Sequence, residues 1–187
     1  VMTQETEKGV YVGDYGEGHI VMNGGEFNFK SSNPSKYNAY CMILGSSPNS
    51  SGSIEMNDGV MNIETDAALV VSANGDGEFL MKGGVLTTDQ IRLGWGLNAE
   101  ARGVFRQTGG TINVTTKIHT KGVNVSDSTG RRCALILDGG IMNCHQVRGW
   151  TGASVRRLLP FLPAVLSVPD IWNSWLHSGT ACPVTVR

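Results

Sequence analysis

A ten-residue phrase, glycine-x-apolar-x-long-x-glycine-glycine-x-apolar, recurs at residues 18–27, 52–61, 77–86 and 103–112, with Asp58 in place of the first corner glycine of the second copy, and returns at 133–142 with Cys133 in place of the first glycine. Successive glycine pairs lie about 25 to 34 residues apart, a period that belongs to stacked arrays rather than to a single globular knot. One unit of about 25 residues loses roughly 1.5 kcal/mol of conformational entropy per residue, and its few apolar side chains return only about 1.5 to 3 kcal/mol each. No unit stands alone, so neighbouring units must supply the missing contacts.

Set in columns, the five copies separate by chemistry. The third position holds Ile20, Ile54, Phe79, Phe105 and Leu135, the fifth holds Met22, Met56, Met81, Gln107 and Leu137, and the tenth holds Phe27, Met61, Leu86, Ile112 and Met142. Apolar residues at period two predict short strands on either side of a glycine corner, and the glycine content disfavours helix. The position between the third and fifth (Val21, Glu55, Leu80, Arg106 and Ile136) is mixed and reads as an outward face. Gly25, Gly59, Gly84, Gly110 and Gly140 close the corner in every copy, where positive φ or close passage of an adjacent coil is expected. Directly after position ten come Asn28, Asn62, Thr87, Asn113 and Asn143, a column suited to an amide ladder between coils.

A second, shorter phrase of apolar-x-apolar-small lies between the copies, at 10–13, 42–45, 69–72, 91–94 and 123–126, and a sixth beginning at Val147 breaks at Gly149. Each repeat therefore supplies at least three short strands, the content of one coil of a parallel β-helix. The expectation is an all-β, single-stranded parallel solenoid of about five to six coils over residues 1–150, rising about 4.8 Å per coil. Segments 31–39 and 115–122 vary in length and are expected to project as loops.

After Trp150 the pattern stops. Residues 151–187 carry Pro160, Pro163, Pro169 and Pro183 and no glycine pair, and the expectation is an irregular tail that does not continue the coils. A solenoid end needs a cap, which this tail could supply through a short amphipathic helix over 170–177; the competing reading is a segment foreign to the fold, such as a shifted reading frame. Between Arg157 and Asp170 lie only 12 uncharged residues with three prolines, too short and too broken for a membrane span. Beginning at Val1 without a basic or apolar leader, the chain reads as an interior fragment or a mature product.

The combination Ile91-Arg92-Leu93-Gly94 followed by G-V-F-R-Q-T-G-G-T-I-N-V at 103–114 resembles the repeats of autotransporter passenger proteins and the related autotransporter and PEP-CTERM-associated repeat. The resemblance covers about residues 9–149. It implies a right-handed parallel β-helix in a bacterial cell-surface or secreted protein, often an adhesin or a structural stalk. The chain departs from that family in carrying Cys41, Cys133, Cys144 and Cys182. These show no spacing of a zinc site, and Cys133 and Cys144 are expected as buried thiols rather than a disulfide.

Chemistry is sparse. A formal net charge of -1 gives no global pull toward nucleic acid. Many parallel β-helices are polysaccharide lyases or glycosidases, and such a site needs clustered carboxylates or a catalytic cation on one strand face. Asp58 and Asp138 sit at different positions of the glycine corner and read as turn residues. His19, His119 and His145 share no column and His177 lies in the tail, so no metal cage, cofactor or catalytic dyad is expected. Arg92, Asn124 and Arg148 occupy one position of the second phrase, and with Arg106 and Trp95 they are the residues able to face a glycan; solvated strand charges and a tryptophan packed on its own coil are the competing readings. The function expected is a non-enzymatic structural or adhesive stalk with glycans or surface proteins as partners, and the alternative is a carbohydrate-active β-helix.

Overall fold

The computed structural model describes residues 1–6, 9–31, 42–96, 98, 100–115, 123–125, 132–144, 147–149, 154–156 and 165–167, and every element among them is a β-strand. All the strand pairings are parallel, and they sort into three faces. On the first face, residues 17–22, 51–56, Asp76–Met81, Arg102–Gln107, Arg132–Leu137 and Ser154–Arg156 lie side by side. The second face stacks Met2–Thr6, 27–31, 60–63, 85–88, Thr111–Val114, Ile141–Cys144 and Val165–Ser167. The third stacks Val10–Val12, Met42–Leu44, 69–71, 91–93, Val123–Val125 and Val147–Gly149. The chain passes from third face to first to second in every coil, which makes it a parallel β-helix solenoid.

The columns read from the sequence stack in register. Ile20 pairs with Ile54, Ile54 with Phe79, Phe79 with Phe105 and Phe105 with Leu135. Phe79 and Phe105 are fully buried, with ring centroids 4.8 Å apart and planes only 4° from parallel. That separation is the spacing between adjacent strands, so the coil rise itself sets the ring stack. Position ten runs Phe27, Met61, Leu86, Ile112, Met142 on the second face. Two positions on, a further inner column, Phe29, Ile63, Thr88, Val114 and Cys144, is buried throughout, and it extends the alternation to a position not singled out from the sequence.

The glycine pair divides its work. At Gly84 the backbone has φ +77°, and a Cβ would stand 2.4 Å from the carbonyl oxygen of Gly59 in the preceding coil. At Gly83 φ is not positive, but a Cβ would stand 2.3 Å from the carbonyl oxygen of Asn57. At this corner the second glycine thus serves conformation and clearance, and the first serves clearance. The small residue that ends the second phrase is also left-handed, at Gly13, Gly45 and Gly94 and even at Ser72, whose φ is 71°. Ser72 holds that conformation while its hydroxyl donates to the Gly75 carbonyl at 2.8 Å and its N–H donates to Leu44 at 3.0 Å.

Gln107 is the polar exception inside the fifth-position column and is 1% exposed. Its Nε2 lies 3.1 Å from the carbonyls of Gly110 and Ile141 and 3.3 Å from that of Gly109, so the amide serves corner carbonyls of its own coil and the next. Cys133 and Cys144 are buried and are not joined in a disulfide.

The expectation that nothing beyond Trp150 continues the stack needs correction. Ser154–Arg156 pairs in parallel with 134–136, and Val165–Ser167 with 141–143. Parallel pairing needs only the backbone, so coil addition does not depend on a glycine pair. Of the loops expected at 31–39 and 115–122, Ser31 instead ends a strand opposite Thr6 and the Thr115 N–H donates to the Thr88 carbonyl at 2.9 Å; the remainder of both segments, Cys41, Cys182 and the helix expected over 170–177 lie outside the described residues.

Candidate functional site

The third face carries most of the residues singled out for ligand contact. Its middle column runs in register from Tyr11 through Ile43, Val70, Arg92 and Asn124 to Arg148. Arg92, Asn124 and Arg148 therefore do follow one another on adjacent coils; the side chains of the last two lie outside the described residues. The column changes character along the rod, from aromatic and aliphatic in the first three coils to polar in the next three.

Strand alternation alone predicts an outward side chain at Val70, yet it is fully buried. It belongs to a satellite apolar cluster with Ala68 and Ala73, against which Ile43 and Trp95 pack. Trp95 is held at a tight corner, where Gly94, Trp95 and Gly96 donate backbone hydrogen bonds to Val71, Ser72 and Ala73 of the preceding coil at 2.9 to 3.0 Å. The Arg92 guanidinium carbon lies 4.3 Å from the Trp95 ring centroid, and Arg92 Nε donates to Gln90 Oε1 at 2.9 Å. The Trp95 ring thus packs against the Val70 cluster and has the Arg92 guanidinium over one face.

Beside this pair lies a buried polar group that the columns did not reveal. Thr88, Asp89 and Gln90 are all buried, and Thr115 Oγ1 donates to Asp89 Oδ1 at 3.2 Å. Their sequence signal was available, since T-T-D-Q occupies the corner where other coils place variable loops, but a carboxylate there reads as exposed until the neighbouring coil is stacked on it.

Arg106 stands apart from this group. It lies on the outer side of the first face and forms a 2.6 Å ion pair with Asp138 of the next coil. The same face carries Lys82 donating to Glu55 at 2.7 Å, and that hydrogen bond, first among the causes, holds the Glu55 carboxyl below its ordinary value. His19 Nδ1 and Ser53 Oγ share a 2.6 Å hydrogen bond. Asp58 Oδ1 accepts from the N–H of Gly59 at 2.8 Å, the turn geometry expected of it. Asn62 donates to Asn28 at 2.8 Å and Asn143 to Asn113 at 2.9 Å, two rungs separated by Thr87. A further rung, Asn57 donating to Asn23 at 2.7 Å, lies at the first corner.

At the N-terminal end of the rod a cavity of about 620 Å³ is lined mainly by apolar side chains, among them Val10, Ile20, Met22, Phe27 and Met61. It is the cross-section of the inner columns where the first coil has not been covered. Among the described residues, no group of three or more His, Cys, Asp or Glu could hold a metal ion, and no helix is long and apolar enough to cross a membrane. His119, His145 and His177 lie outside those residues. Comparison of the chain with protein-family models, with curated proteins and with solved structures finds no match.

Proposed function

We propose that the chain is a non-enzymatic segment of a bacterial cell-surface or secreted β-helix protein and works there as a structural or adhesive stalk. The observation that carries this reading is how polar side chains on the outer surface are used. Glu55 with Lys82, Arg106 with Asp138, His19 with Ser53 and the asparagine rungs all spend their hydrogen bonds on the adjacent coil. Side chains committed to the next coil fix register and length, which a stalk needs, whereas a hydrolytic site needs such groups converging on a substrate. Fold alone assigns no chemistry, and the proposal rests on this placement together with the repeat resemblance.

A glycan-binding or glycan-cleaving role is the second reading, favoured by the in-register placement of Arg92, Asn124 and Arg148. Host or environmental glycans, or surface proteins, are the partners in either case. Incubation with a panel of acidic and neutral polysaccharides tests the choice. No unsaturated product or new reducing end is expected, and turnover that disappears in Arg106→Ala would overturn the stalk reading in favour of an enzyme. Retention on a glycan array without turnover, weakened by Arg92→Ala, would assign an adhesive role to the third face.

A further inference from the structure

Asparagine followed by glycine occurs twice in the chain, at Asn23-Gly24 and at Asn74-Gly75. The fold treats the two pairs in opposite ways. Gly75 is buried, its N–H donates to the Gly45 carbonyl at 2.9 Å, and a Cβ there would stand 2.4 Å from the Ser50 carbonyl oxygen. Asn74 is tied as well: its amide donates to Ser46 at 3.3 Å and its carbonyl accepts from Asn98 at 2.7 Å. The backbone nitrogen that would have to attack the asparagine side chain is already a donor inside a closed corner.

Asn23 and Gly24 are both exposed, and nothing lies within 4 Å of the place a Gly24 Cβ would take. The strand ladder passes from Asn23 opposite Asp58 directly to Glu26 opposite Val60, so Gly24 has no register partner. Asn57 Nδ2 donates to Asn23 Oδ1 at 2.7 Å, which draws electron density from Cγ and leaves Nδ2 as the departing group.

We propose that Asn23-Gly24 is a modification site at which the folded chain deamidates. The Gly24 backbone nitrogen bonds to Asn23 Cγ and gives up its proton, the Cγ–Nδ2 bond breaks, ammonia leaves carrying that proton, and a succinimide closes. Water then opens the ring at either carbonyl and leaves aspartate or isoaspartate. Both products put a carboxylate near Glu26 at the rim of the N-terminal cavity, and the isoaspartyl form also inserts a methylene into the main chain of the first corner.

Ageing the folded protein in mildly alkaline buffer, with peptide mapping by mass spectrometry and enzymatic methylation of isoaspartate, reads both sites in one sample. Conversion at Asn23 is expected to be at least about tenfold faster than at Asn74, because the Asn74 corner must open first. In denaturant the two rates should converge. Equal rates in the folded protein, faster conversion at Asn74, or no conversion at Asn23 over a period in which the denatured chain converts, each overturns the proposal. Asn57→Ala, checked for retained strand signal by circular dichroism, is expected to slow Asn23 severalfold; an unchanged or higher rate would overturn the assisting role of Asn57.

Discussion

The two sides of the first face are built on the same strands in the same register, and they put stacking to different uses. Inward, Phe79 and Phe105 lie ring on ring and are fully excluded from water. Outward, the adjacent residues Leu80 and Arg106 are likewise opposite each other, but Arg106 bonds onward to Asp138 of the next coil and remains about half exposed. Register is therefore a backbone property shared by both sides. The free energy is concentrated on one: burial of an aromatic side chain outweighs a surface ion pair such as Lys82 with Glu55. The inner columns hold the rod together, and the outer ones discriminate among ways of stacking it.

The widest separation between the sides should come from Phe105→Ala. Loss of the buried ring, with Phe79 left facing a void, is expected to cost about 3 to 5 kcal/mol in equilibrium denaturation. A cost comparable to that of an outer-face substitution would mean that the aromatic stack is not the centre of the core. Gly84→Ala tests the corner that delivers both sides into register. Its positive φ and the nearby Gly59 carbonyl predict a loss of about 2 kcal/mol or more, measured in the same way.

Cys144 extends the comparison into alkaline solution. Burial raises its thiol from an ordinary value of 9.0 to about 11. The folded protein thus holds the proton more tightly than the unfolded chain, so this contribution is complete below about pH 9 and is lost as pH rises through about 11. Thermal melts across that window should fall for the wild type and flatten for Cys144→Val, the residue type of Val114 one coil earlier in the same column. An identical alkaline slope in the variant would assign the fall to other groups.

The smallest effect belongs to Glu55 on the outer surface. Its carboxyl is held low, first by the hydrogen bond from Lys82 and then by one from Asn57. The sign is opposite to that of Cys144: the contribution is present above the ordinary carboxylate value of 4.5 and is lost as pH falls through the lowered one. Glu55→Gln should slightly flatten the acid limb of the stability profile and be nearly silent at neutral pH. A large loss at neutral pH would show that outer pairs carry the rod after all.

Much of this architecture is legible in the sequence because period-two alternation, a glycine pair and a near-complete asparagine column each have one simple physical reading. Phe79 and Phe105 fall in one column at sight, and they stack. The inner column containing Thr88 and Cys144 is harder to see, since a hydroxyl and a thiol interrupt its apolar signature. Val70 and Asp89 are hidden for another reason: their burial depends on what packs over them from an adjacent coil, which no single repeat contains. Trp95 between two glycines suggests an open ring, and only the distance to Arg92 shows that one face is taken. The strands at 154–156 and 165–167 carry no repeat signature, and parallel backbone pairing does not require one. Of the proposed ligand-facing residues, the shared position of Arg92, Asn124 and Arg148 was visible as a column, and the distance of Arg106 from them follows from its place in the other phrase.

In the five coils that carry the phrase, the path from first face to second has one length, from the fifth position to the tenth. The path from second face to third has none: it runs from Phe29 to Met42 in one coil and from Thr88 to Ile91 in another, while the strands on either side keep their partners. Where the glycine corner is present, tolerance for added sequence is thereby vented away from it. Foreign peptides grafted between the second and third faces would be displayed as a row of side branches at fixed pitch, and the same grafts at the glycine corner would throw every later coil out of step.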